Sequence, residues 1–376
     1  MTTLPERTGG QLIVDCLQAQ GVEHVFCVPG ESYLAVLDAL HDASINVTVC
    51  RQEGGAVMMA DASARLTGRP GIAMVTRGPG ATNASAGIHI AEHDSVPLIL
   101  FVGQIETGMK ERGAFQEMDY KAYFGSTAKW VTEITDPARV PEILSRAFHV
   151  AMQGRPGPVV IALPEDMLVA SAQVAIGPRV EPVETWPGLT QMAELQKLLW
   201  AAKRPIAILG GSGWSEKARA SIIRFAERFD LPVATSFRRA MLFDGDHQNY
   251  AGEIGIGPNP KLKARIEGAD LVLLVGGRMA EMPSQSYTLF DIPVPKQKLV
   301  HVHADAEELG RVYHPTLGIH ASPRAFAASE RAEYAGAMPP AAACAAMSRA
   351  NSRTPATSRL VNGSSSSQRV APDRST

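Results

Sequence analysis

One carboxylate is set apart by its neighbours. Glu53 follows a strand-like run at 45–50 and precedes a Gly54-Gly55 turn, after which a helix-like segment spans 56–66. A second strand-like run, 71–76, ends at Thr76, and a Gly78-Pro79-Gly80 loop leads into a helix that carries Asn83. In a parallel α/β sheet both places fall at strand carboxyl ends, where ligands bind. Small residues there let a ligand reach the backbone. A carboxylate in such company suits general acid/base work on a bound molecule. The positive end of a helix would also select an acid at this position on electrostatic grounds alone.

The elements that must hold these residues follow from hydrophobic periodicity. Residues 9–21 read as an amphipathic helix with Leu12, Ile13, Cys16 and Leu17 on one face, ending at Gly21. A strand at 22–28 runs into Pro29-Gly30, which opens a helix reaching Leu40. The alternation continues with a helix at 81–91, a strand at 96–102, a helix at 137–153 and a strand at 159–163. Strands alternating with helices at this spacing predict βαβ units and a mostly parallel sheet. Residues 103–127, polar and rich in glycine, read as a functional loop region.

Residues 171–190 are aperiodic and contain proline, as a linker does. A second α/β unit begins near 191, with a helix at 191–202 and strands at 205–209, 231–235, 271–275 and 298–302. Its Gly210-Gly211-Ser212-Gly213 turn is Rossmann-like without a full G-x-G-x-x-G fingerprint, and the glycines also suit plain strand-to-helix turns. The expected organisation is a first domain over 1–170, a linker over 171–190, a central domain over 191–330 and a low-complexity tail over 331–376. That tail is dominated by Ala, Ser, Pro and Arg and reads as disordered or as an aberrant gene end.

Composition excludes several function classes. A net charge of -2, with no basic stripe, argues against nucleic-acid or anionic-membrane partners. Cys16, Cys27, Cys50 and Cys344 show no C-x-x-C spacing, so neither a zinc site nor a disulfide framework is implied, and the site contains no predicted metal ligand. No run approaches the roughly 18–20 apolar residues of a membrane helix. The default expectation is a cytoplasmic protein.

The motifs taken together resemble the thiamine-diphosphate enzymes of the acetolactate synthase and pyruvate oxidase group. GVEHVFCVPGESYLAVLDAL (21–40), RQEGGAVMMADASARLTG (51–68), TRGPGATN (76–83), AEHDSVPLILFVGQ (91–104), AFQEMD (114–119), GRPGPVVIALPED (154–166) and LVHVHADAEELGRVYHP (299–315) occur in the family's order. The resemblance covers residues 5–330 and implies a pyrimidine-binding domain followed by a Rossmann-like central domain. It also implies thiamine diphosphate as cofactor and a 2-oxo acid such as pyruvate as substrate. In that family the cofactor's 4′-amino group is the base that generates a C2 carbanion, and a carboxylate at ring nitrogen N1′ favours the tautomer able to take the proton. Glu53 would be that carboxylate. Pro29, Gly30, Thr76, Gly78 and Asn83 would line the pyrimidine pocket. Gln116 would lie near the reacting carbon, and Phe115 would supply an apolar wall. His93, near where related decarboxylases carry catalytic histidines, precedes Asp94-Ser95 in the synthase manner, which gives it and His89 a structural role.

Departures from the family pattern are as specific as the matches. Where acetolactate synthases of branched-chain amino acid biosynthesis carry Lys in the LPxD motif, this chain has Glu165. Arg278 is kept after the central glycine pair but the acidic pair that follows it in flavin-dependent synthases is absent, which counts against FAD. The Gly-Asp-Gly…Asn motif that holds Mg²⁺ and the diphosphate in the family is not found; Asp244-Gly245-Asp246 lacks the downstream asparagines. The family assembles each site between two subunits of a homodimer or homotetramer. Two readings result: a carboligase or decarboxylase acting on 2-oxo acids but inactive as a truncated chain, and a non-catalytic truncated binding protein.

Overall fold

The run 98–102 is apolar throughout, so it has no face to turn to water and must be covered on both sides. In the computed structural model, which describes residues 4–333, it lies inside the first of two six-stranded sheets. The chain runs through β1 (Arg7–Thr8), α1 (Gly9–Ala19), β2 (His24–Cys27), α2 (Leu34–His41), β3 (Asn46–Val49), α3 (Glu53–Thr67), β4 (Gly71–Val75) and α4 (Gly78–Asp94). It continues through β5 (Leu98–Gln104), α5 (Tyr120–Phe124), β6 (Trp130–Glu133), α6 (Val140–Met152), β7 (Pro158–Pro164), α7 (Glu165–Val169) and β8 (Ser171–Ala172). The first sheet has the order β3-β2-β4-β5-β7-β6, all parallel.

Because side chains alternate along a strand, β5 feeds two cores. Ile99 and Phe101 pack with Leu12, Ile13, Leu17 and Phe148. Leu98, Leu100 and Val102 pack with Val57, Ala60, Ala84 and Ile88. The aperiodic segment after β7 is tied to this layer. β8 pairs antiparallel with β1, Val180 is buried in the first core, and Gln20 and Arg69 bond the backbone at Pro178 and Val180.

The second layer comprises α8 (Leu189–Ala201), β9 (Pro205–Leu209), α9 (Glu216–Arg228), β10 (Val233–Ser236), β11 (Tyr250–Ile254), α10 (Pro260–Glu267), β12 (Leu271–Val275), β13 (Lys298–His303), β14 (Leu317–His320) and α11 (Pro323–Glu333). Its strand order is β11-β10-β9-β12-β13-β14, again all parallel. The order reverses between β9 and β12, the switch point that defines a doubly wound, Rossmann-like sheet. The expected α/β class with two parallel sheets is therefore the observed one, and the chain to Ala332 forms one compact unit.

Local readings differ in two ways. Gly54-Gly55 and Gly78-Pro79-Gly80, expected as turns, are the first turns of α3 and α4. Gln52 caps α3, its side chain accepting from Gly55 N–H at 2.8 Å, and proline suits the first turn of α4. The edge strands β6 and β11 carry no clean alternation and are largely half-buried, so periodicity does not announce them. Among the described residues no helix is long and apolar enough to cross a membrane. Residues 334–376, most of the expected tail, and with them Cys344, lie outside the described residues.

Candidate functional site

Glu53 is the first residue of α3, where the unpaired N–H groups of a helix end favour a carboxylate. Its Oε2 accepts from Asn83 Nδ2 at 2.9 Å, across from α4. Its Oε1 takes no donor among the described residues and lies beside Gly80, where a Cβ would stand 3.7 Å from it. The carboxylate is thus oriented by one bond and keeps an acceptor open at the carboxyl edge of the first sheet.

The loops after β2 and β4 close against one another next to it. Gly30 has an extended backbone with φ -153°, so it is required for space and not for conformation. A Cβ there would sit 2.5 Å from Thr76 Cβ. Thr76 Oγ1 and Ser32 Oγ are 3.0 Å apart. The Tyr33 hydroxyl donates to Val28 O at 2.5 Å, and burial, then Cys27, pushes its pKa up, so the phenol stays a donor. Pro29 stands exposed at the rim.

On the other side of the β4 loop, Gly78 N–H donates to Gln116 O at 3.2 Å. Gln116 has φ +63°, a left-handed conformation that costs a non-glycine residue roughly 1–3 kcal/mol. Glu117 holds the loop in shape by accepting from Glu111 and Ala114 N–H at 2.6 and 3.0 Å, and these bonds, Glu111 first, lower its pKa. Phe115 beside it is 77% exposed. Contacts therefore link Glu53, Asn83, Thr76, Gly30, Gly78 and Gln116 into one edge, while Pro29 and Phe115 flank it without joining it.

Sequence reasoning passed over Arg77, a cation inside this edge. Its guanidinium lies 3.3 Å from Glu31 Oε1 and 3.4 Å from Glu165 Oε1. A cation in a glycine-rich run at a strand end was the available signal. His89 and His93 meet edge-on at 4.5 Å on α4, away from these contacts, with His93 also 3.7 Å from Glu92.

A separate cleft of about 330 Å³ opens at the carboxyl ends of the second sheet, lined by Gly211, Arg238, Arg278 and His303 together with His93–Ser95 and Arg155 from the first layer. Its cations are engaged. Arg278 donates to His93 O at 2.7 Å, Arg239 to Gly211 O and Asp94 O at 2.8 and 3.1 Å, and Arg238 pairs with Asp94 Oδ2 at 3.2 Å. Burial alone would raise the Asp94 pKa; the Arg65 bond at 2.7 Å and the charges of Arg65, Arg238 and Arg239 outweigh it and lower it. His301 donates from Nε2 to Gly277 O at 2.9 Å, and burial pushes its pKa down to about 4, so the ring is neutral at pH 7.

The two parallel sheets, with a glutamate at the head of α3, lie within a class that comparison with known proteins specifies. The model of the thiamine pyrophosphate enzyme N-terminal TPP-binding domain matches residues 7–123, and that of the central domain of the same enzymes matches residues 192–329. The chain belongs to this thiamine-pyrophosphate-enzyme family. It is 32% identical over 315 residues to the acetolactate synthase large subunit of Corynebacterium glutamicum, covering 82% of this chain and 50% of that protein. It is 30% identical over 305 residues to the acetolactate synthase isozyme 2 large subunit of Escherichia coli K12, covering 81% and 55%. A probable acetolactate synthase large subunit of Methanocaldococcus jannaschii is 31% identical over 311 residues, covering 81% and 52%. The chain spans about half the length of the curated relatives it matches.

Proposed function

We propose that Glu53 engages the pyrimidine ring of thiamine diphosphate and that the protein serves carbon–carbon bond cleavage or joining on 2-oxo acids, as an acetolactate-synthase-like carboligase or decarboxylase. The observation that carries this reading is the Glu53 carboxylate itself: one oxygen fixed by Asn83, the other an open acceptor at a strand edge. A ring nitrogen that shares a proton needs such an acceptor, and the family to which the chain belongs binds this cofactor through this domain.

When bound, thiamine diphosphate supplies a carbon nucleophile that adds to a keto group and accommodates the negative charge left by decarboxylation. The residues of this chain do the rest. Glu53 Oε1 would hold the shared proton at the ring, and Asn83 keeps the carboxylate turned toward it. Thr76, Gly30 and Gly78, with Pro29 at the rim, would form the wall against which a flat ring packs. Gln116, held in a strained backbone, would present its amide to the reacting groups, and Phe115 would shield them from water.

On this reading residues 1–170 are the pyrimidine-binding domain, 171–190 the linker and 191–330 the central domain of a cytoplasmic homo-oligomer. Turnover also requires that the diphosphate and its Mg²⁺ be held, and no group of three or more His, Cys, Asp or Glu among the described residues is placed to hold a metal ion. On this reading the residues named above would supply the pyrimidine half of the site. Flavin is left out because the acidic pair that follows the arginine in flavin-dependent synthases is absent after Arg278.

The test is a calorimetric titration of the full chain with thiamine diphosphate and Mg²⁺. Saturable binding that weakens about 10- to 100-fold in Glu53→Gln is expected for loss of one hydrogen bond to a charged group. Equal affinity in the two proteins would sink the proposal. Consumption of pyruvate in the same mixture separates an active enzyme from a binding protein without turnover.

A further inference from the structure

Arg77 is held as a receptor is held, and not as a structural ion pair is. The residue lies between Thr76, which packs on Gly30, and Gly78, which bonds Gln116, so its side chain starts from the middle of the candidate site. Only 12% of that side chain is exposed. A guanidinium that closes fully on one carboxylate makes two parallel bonds of about 2.7–2.9 Å. Here two different carboxylates each approach one nitrogen, at 3.3 and 3.4 Å. Arg77 Nε is buried with no hydrogen bond, and Glu165 Oε1 is buried with only the 3.4 Å ion pair to Arg77 and no hydrogen bond. A buried donor without a hydrogen bond is costly, so an acceptor that reached Nε would relieve that cost.

The two carboxylates are not equivalent. Glu165 follows β7 directly and is 34% exposed, a half-buried counter-charge within the sheet edge. Glu31 follows Gly30 and is 78% exposed, and an exposed pair of this kind contributes little. A ligand carboxylate that accepts two bonds from the guanidinium therefore displaces Glu31 at small cost.

We propose that Arg77 receives the substrate's carboxylate, with Glu165 steering the guanidinium from behind and Glu31 standing in the carboxylate's place until substrate arrives. The proposal rests on the 2-oxo acid reading above and assigns the residue that would recognise that acid.

The experiment measures binding of pyruvate and of methyl pyruvate, which lacks the charge, to the full chain with thiamine diphosphate and Mg²⁺ present. Arg77→Gln is expected to weaken pyruvate about 10- to 100-fold while methyl pyruvate changes less than about threefold. Glu31→Gln is expected to tighten pyruvate about two- to fivefold by removing a competitor. The ratio of the two ligands within one variant is insensitive to a general loss of folded protein. Should Arg77→Gln not fold, the opposite-signed effect of Glu31→Gln still decides. Pyruvate binding that is absent in the wild type, unchanged in Arg77→Gln or weakened in Glu31→Gln overturns the assignment. A chain that fails to bind thiamine diphosphate but keeps an Arg77-dependent ratio overturns the cofactor reading and supports Arg77.

Discussion

The carboxyl edges of the two sheets are built alike and used differently. Both carry glycine turns and charged side chains at strand ends. At the edge of the second sheet those charges are committed: Asp94 alone takes Arg65 and Arg238 on its carboxylate and Arg239 on its carbonyl, bridging elements of the two layers. At the edge of the first sheet Glu53 keeps an open acceptor and Arg77 a buried donor without a partner. The difference teaches where to look for function in this molecule. Polar groups that satisfy one another hold the fold together, while polar groups left unsatisfied at a strand edge await something else.

Removing a committed charge should therefore damage stability most. Asp94→Ala removes the carboxylate shared by Arg65 and Arg238, leaving Arg65 with Asp61 alone, and is expected to cost about 2 kcal/mol, the scale of hydrogen bonds to a charged group. Urea unfolding at pH 7 measures it. Glu53→Gln, by contrast, should change stability by less than about 1 kcal/mol, the scale of a helix-end charge, although it weakens cofactor binding. Equal losses in the two variants would erase the distinction between the edges.

The second sheet also has a titration signature. The folded pKa of His301 is depressed to about 4 from an ordinary 6.5. The unfolded chain thus takes up the proton first as the medium acidifies. Its contribution to stability is complete above about pH 6.5 and falls away between 6.5 and 4, about 2 kcal/mol being lost by pH 5. Comparing unfolding of the wild type with His301→Gln at pH 7 and 5 isolates that slope. A variant that keeps the full slope shows that other groups carry it. The smallest effect belongs to the rim of the first edge. Phe115→Ser should alter stability by less than about 0.5 kcal/mol, since the ring is exposed. It should weaken methyl pyruvate about three- to tenfold if the ring covers bound ligand; an unchanged affinity would return Phe115 to the role of an ordinary surface residue.

Periodicity made the buried strands legible, because a strand covered on both faces must be apolar throughout, as Leu271–Val275 and Leu98–Gln104 nearly are. It missed Trp130–Glu133 and Tyr250–Ile254, edge strands whose mixed exposure imposes no such rule. The glycines in the first turns of α3 and α4 looked like turns because glycine is a poor helix former. They sit in helices, where a Cβ at Gly54, Gly78 or Gly80 would come to 3.1, 3.0 and 3.0 Å from Asn83 O, Gln116 O and Thr76 Cγ2.

The amino-acid order alone determined the two α/β layers and singled out Glu53, since both follow from neighbours within a few residues and from the reach of a strand or a helix. The pairing of Arg77 with Glu31 and Glu165 was decided only by the tertiary structure. Those residues are far apart in the chain and meet because β2, β4 and β7 end on the same side of one sheet. Which charges are satisfied, and which are left open, depends on that meeting and on burial, and no local pattern encodes either.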